Sequence, residues 1–181
     1  MTPSAFTVIF LILLAASLAL QLWLARRHAL HVAAHRDAVP PAFADRVRLP
    51  AHQKAADYTV ARTRLGMIEV IVETALLVAL TVGGGIAALV AWTGDLPLPV
   101  LARDLALIVA VVVISGVVAL PFSYVSTFVI EARFGFNRMT RALWLADLAK
   151  GLAVAAVLGL PLAALVLWLM RVAGPLWWVW A

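Results

Sequence analysis

The sequence predicts an all-α fold, a multi-pass transmembrane helical bundle with four full spans plus the start of a fifth. Three observations carry that prediction. Hydrophobic residues fill 65% of the 181 positions and the mean hydropathy is +1.05, more apolar surface than a soluble core can hide. Four segments contain no Asp, Glu, Lys or Arg: Phe6 to Leu24, Thr74 to Gly94, Leu105 to Ile130 and Gly151 to Met170, of 19, 21, 26 and 20 residues. At 1.5 Å of rise per residue, about 20 residues cross the roughly 30 Å hydrocarbon layer. Finally, 13 of the 14 Lys and Arg residues lie between these segments, and Arg171 directly follows the last. The whole chain, 1–181, is read as one transmembrane helical domain with spans at about 6–24, 68–94, 105–130 and 151–170, and an incomplete span at 172–181.

The first apolar run has no Lys or Arg before it, whereas cleavable signal peptides carry a basic leading region. Arg26 and Arg27 follow it. It is therefore expected to be an uncleaved anchor with its amino terminus outside. Loops 26–66 and 131–150 hold 12 of the 14 basic residues, against Arg103 and Arg171 elsewhere. That bias places both loops in the cytoplasm. The formal net charge of +5 is thus mostly topological, and it suits the lipid bilayer as partner. No alternation of basic and aromatic residues suggests a nucleic-acid partner. Richness in Ala, Leu, Val, Arg and Trp points to a bacterial inner (plasma) membrane.

The first loop is too long for a bare turn and is expected to include helix. His28, His31 and His35 fall on one helical face, but no carboxylate sits beside them in a metal-site pattern. Pro40 and Pro41 should break that helix, and Leu49 to Arg64 should form a second amphipathic piece leading into the membrane. Glu69 and Glu73 open the second span one turn apart. They either complement the positive end of the helix dipole, or Glu73, the deeper one, faces a water-filled interior, because carboxylates within membranes avoid lipid. Gly83 to Gly85 can allow close helix packing or loosen the helix. In the third span Pro121 should kink a run that also holds Ser115, Ser123, Tyr124 and Ser126, as suits a wet cavity wall or simple helix packing. The run from Val172 reaches Ala181 after ten residues, about half a crossing. A bounded or truncated domain is expected; the alternative is an interfacial tail anchored by Trp177, Trp178 and Trp180.

The third span ends in TFVIEARFGFNRMT, Thr127 to Thr140. Charges at Glu131, Arg133, Arg138 and Arg141 mark the exit from hydrocarbon, Phe134 and Phe136 suit the interfacial level, and Gly135 and Asn137 tolerate the positive φ of a tight turn. FVIEARFGFN closely resembles the FVIE-x-x-x-GFN segment in the amino-terminal membrane domain of the type I CAAX prenyl endopeptidases, integral-membrane zinc metalloproteases. Neighbouring features agree in order: Tyr58 with Arg62, Gly66, Glu69, Glu73, the glycine step, Ala119 to Phe122, Asp147 with Lys150, and Pro161. The resemblance covers about Tyr58 to Ala181, most strongly at 127–140.

The resemblance implies a membrane part that walls an intramembrane chamber and supports a cytoplasmic metallopeptidase domain acting on peptides of membrane or prenylated proteins. Glu69, Glu73, Glu131, Phe134, Gly135, Phe136 and Asn137 become candidate chamber or interface contacts, structural or substrate-guiding in role. No catalytic or metal-ligating residue is assigned. The peptidase signature requires a His-Glu-x-x-His helix, yet this chain has no His-Glu pair, and its histidines all precede residue 53. Zinc is expected in the catalytic part, and the chain alone should be inactive. Absence of cysteine removes thiolate chemistry, and neither a G-x-S-x-G elbow nor a phosphate-binding loop occurs. The alternative is a non-catalytic membrane scaffold or adaptor that has lost the protease part.

Overall fold

A computed structural model describes residues 2–174. Positions 175–181, with most of the expected fifth span and Trp177, Trp178 and Trp180, lie outside the described residues. The fold is all-helical. Helix α1 (Pro3–Ala34) starts where the Thr2 hydroxyl accepts a hydrogen bond from the Ala5 N–H at 3.3 Å, with proline at the start of the first turn. It continues past Leu24, because backbone hydrogen bonding does not stop at the hydrocarbon boundary. It ends at His35, before Pro40, which caps a short 3₁₀ turn (Pro41–Phe43).

Helix α2 (Leu49–Leu80) joins the polar piece from Leu49 to Arg64 to the apolar stretch that follows. The chain then breaks before α3 (Gly85–Gly94). Gly84 caps α3 with φ +79°, in the left-handed region where a Cβ is penalised. Of the two readings of the glycine step, loosening of the helix is what the backbone adopts. Helix α4 (Val100–Val125) runs through Pro121 into a π-helical stretch, Ser126–Glu131. Helix α5 (Arg141–Val154) leads through a second π stretch, Ala155–Gly159, into α6 (Leu160–Val172). That wider turn immediately precedes Pro161, whose ring would clash with the preceding turn of a regular α-helix.

Among the described residues, three helical runs, Ser4–Ala34, Val100–Glu131 and Arg141–Val172, are long and apolar enough to cross a membrane, and a fourth crossing results if α2 and α3 are taken as one broken span. Their apolar windows are unburied by protein, with Leu13, Val112 and Leu158 about 60% exposed. Helices apolar all round, with lipid in place of a protein core, give that pattern.

The described residues fall into two compact units. The first comprises the chain up to Gly83 together with Ser115–Arg138. Here α1 packs along α2, and the π stretch Ser126–Glu131 packs on α2 as well. Ala29, Ala56, Ser126 and Ile130 are its buried residues, and the small ones permit close helix approach. The second unit comprises Gly84–Ile114 and the chain from Met139. In it Arg171, at the end of α6, pairs with Asp104 near the start of α4. Thr93 is buried, its hydroxyl donating to the Val90 carbonyl at 3.2 Å.

Candidate functional site

The turn after the π stretch is built by backbone hydrogen bonds. The Phe136 N–H donates to the Glu131 carbonyl at 2.8 Å, and the Gly135 N–H to the Ala132 carbonyl at 3.0 Å. With Gly135 at φ +67°, this is the paired bonding of a Schellman helix end, glycine taking the left-handed position. The Asn137 N–H adds a third bond, also to the Glu131 carbonyl, at 3.2 Å. Glu131 thus serves the turn through its backbone. Thr140 then caps α5, its hydroxyl accepting from the Leu143 N–H at 3.2 Å.

That cap aims both phenylalanines at one residue. Tyr58, on α2, meets Phe134 edge-on with ring centroids 5.7 Å apart and Phe136 edge-on at 5.1 Å, a geometry aromatic quadrupoles favour. The Lys54 ammonium lies 4.9 Å from the Phe136 ring centre, and the Arg133 guanidinium 5.7 Å from that of Phe134, both within cation–π range. The motif is therefore an aromatic clasp closed on the polar first half of α2.

Beside the clasp lies a cleft of about 420 Å³, lined in part by Arg36, Asp57, Arg64, Arg133 and Phe134. Arg36 grips Asp57 with two parallel hydrogen bonds, Nε to Oδ1 at 2.7 Å and Nη2 to Oδ2 at 2.9 Å, the bidentate arrangement that suits guanidinium and carboxylate. Its Nη1 reaches Asp37 at 2.9 Å. Asp57 lies in the polar half of α2, before the apolar stretch. Its carboxyl is held below the usual range by the Arg36 hydrogen bond; desolvation opposes this, and the charges of Arg36 and Arg133 add to it.

The structure brings together Glu131, Phe134, Gly135, Phe136 and Asn137, but not Glu69 and Glu73, which lie further along α2. Neither glutamate makes an ion pair or side-chain hydrogen bond among the described residues; Glu69 is partly buried and Glu73 exposed. No group of three or more His, Asp or Glu among the described residues could hold a metal ion. The His31 and His35 rings sit 4.2 Å apart, but the His35 Nδ1 bonds the His31 carbonyl. Sequence reasoning missed the Arg36–Asp57 pair and the role of Tyr58. For Tyr58 a signal existed in its place within the family-like pattern; for residues 36 and 57, separated by a loop, none did.

A family profile described as "CAAX prenyl protease N-terminal, five membrane helices" matches residues 28–181, starting well before Tyr58, where the sequence resemblance begins. The chain is similar to a CAAX prenyl protease 1 homolog of Oryza sativa subsp. japonica, 41% identical over 73 residues, covering 40% of this chain and 17% of that protein. It is similar to the corresponding homolog of Taenia solium, 40% identical over 63 residues, 35% of this chain and 13% of the relative. With CAAX prenyl protease 1 of Saccharomyces cerevisiae it shares 47% identity over 49 residues, 27% of this chain and 11% of that one. The chain thus matches less than a fifth of each curated relative's length. Among solved structures, the crystal structure of S. mikatae Ste24p superposes with a TM-score of 0.79 at 24% identity, over 92% of this chain and 40% of that one. At that identity the likeness concerns the fold.

Proposed function

The chain belongs to the CAAX prenyl protease N-terminal family, and on that premise we propose that it walls an intramembrane chamber and supports a zinc metallopeptidase part lying outside this sequence. The observation that carries the reading is the aromatic clasp: the family-like segment closes the end of α4 onto α2, fixing a loop that can border a peptidase domain. Substrates in this reading are peptides of membrane proteins or of prenylated proteins, the latter in keeping with the relatives' name, CAAX prenyl protease 1.

Zinc would act in the metallopeptidase part as Lewis acid and activator of water. In this reading the chain's own share is positional. Glu73 supports the chamber: it is an exposed carboxylate with no partner among the described residues, on a helix entering the apolar zone, and such groups face water-filled interiors rather than lipid. The orientation, amino terminus outside, rests on the 12 to 2 distribution of basic residues. The relatives named above are eukaryotic, so a bacterial plasma membrane rests on composition alone.

The chamber is tested by labelling, since these 181 residues contain no cysteine and any cysteine elsewhere in the native product can first be replaced. With the complete native product in membranes, Glu73→Cys should react with a charged thiol reagent about tenfold faster than Ile71→Cys, an exposed apolar position on the same helix. Equal, slow labelling of both would place Glu73 against lipid and end the chamber reading.

A further inference from the structure

We propose that the cleft beside the aromatic clasp binds the phosphate of an anionic lipid headgroup, held by Arg64 and Arg133. Three guanidinium groups, those of Arg36, Arg64 and Arg133, line this cleft against a single carboxylate, Asp57. Both oxygens of Asp57 are engaged by Arg36, and Arg36 also holds Asp37. Arg64 and Arg133 make no ion pair among the described residues. The cleft therefore keeps an excess of positive charge after its internal pair is counted. Arginine forks match phosphate oxygens in geometry as well as in charge.

The position selects a lipid as the source of that phosphate. Arg64 lies one helical turn before the second span, expected at about 68–94, and Arg133 follows closely on Ile130, where the apolar run of the third span ends. Both arginines stand at the water end of a span, the level at which headgroup phosphates lie. Phe134 forms one wall of the cleft, and Tyr58 packs against that ring; aromatic side chains concentrate at this level. The Arg133 guanidinium lies over the Phe134 ring, which orients its fork. Arg36 and Asp57 are positioning residues: their bidentate pair lines the cleft and links α1's end to α2.

The test uses the 181-residue chain in phosphatidylcholine nanodiscs carrying a minor share of phosphatidylglycerol, with lipid adducts counted by native mass spectrometry. The unaltered chain should retain one phosphatidylglycerol. Arg64→Gln with Arg133→Gln should lower that adduct about tenfold, the effect of losing charge-assisted hydrogen bonds. Arg26→Gln with Arg46→Gln removes equal charge from the same loop region and should leave the adduct in place. If the control pair loses it equally, the attraction is diffuse and the site is overturned. Arg64→Lys with Arg133→Lys keeps the charges and guards against misfolding of the glutamine pair; the adduct should weaken several-fold, and undiminished binding overturns the assignment to guanidinium forks. Displacement of the lipid by inorganic phosphate would reassign the cleft to a soluble anion and overturn the lipid source.

Discussion

Replacing Gly135 with valine should destabilise the unit formed by α1, α2 and the end of α4 by about 1–2 kcal/mol or more, the cost of forcing a side chain into the left-handed region. Gly135 holds φ +67°, and valine, branched at Cβ, tolerates that region worse than most residues. The backbone can escape only by abandoning the bonds from Gly135 and Phe136 to Ala132 and Glu131. Space is not the obstacle, because a Cβ here would meet only the Lys54 ammonium, at 3.6 Å. Denaturant titration of the 181-residue chain in detergent checks this. Gly135→Asn, which enters the left-handed region more readily, should lose clearly less, and equal losses would show that conformation at this position is not what matters.

Removing the Tyr58 ring should be comparably costly. It makes edge contacts with both Phe134 and Phe136, each such pair contributing about 0.5–1.5 kcal/mol, so Tyr58→Ala should cost about 1–3 kcal/mol. Tyr58→Phe keeps both ring contacts and should stay within about 0.5 kcal/mol of the natural chain. In the same titration Tyr58→Ala with Gly135→Val should lose less than the sum of the two, since each opens the same clasp. Strict additivity would mean that the turn and the tyrosine act separately.

The two predictions mark where the sequence was readable. Gly135, Phe134, Phe136 and Asn137 could be singled out because a left-handed cap and interfacial rings demand particular residue types, and the family-like wording concentrates there. Tyr58 could be noticed but not placed, because 76 positions separate it from Phe134 and nothing local encodes the contact. The apolar runs were legible for a similar reason: a charge-free stretch of about 20 residues has few fates other than a membrane. Helix extents were less so. The helices expected in the first loop are present at Ala25 to Ala34 and Leu49 to Arg64, but as unbroken continuations of the spans, which the change of polarity at Arg26 and after Arg64 does not encode. The π stretches at Ser126–Glu131, which packs on α2, and at Ala155–Gly159, just before Pro161, change one hydrogen-bond register, which the apolar pattern does not encode. The glycine step left two readings open until the backbone at Gly84 decided between them.

The claim that this membrane part serves a zinc peptidase is tested most directly by hydrolysis of a farnesylated peptide by the native gene product purified from its membrane. The account predicts cleavage that chelation abolishes and zinc restores, with no cleavage by the 181-residue chain alone. A native product that leaves both this peptide and an unprenylated membrane-protein peptide intact at every zinc concentration would contradict it and leave a membrane scaffold in its place.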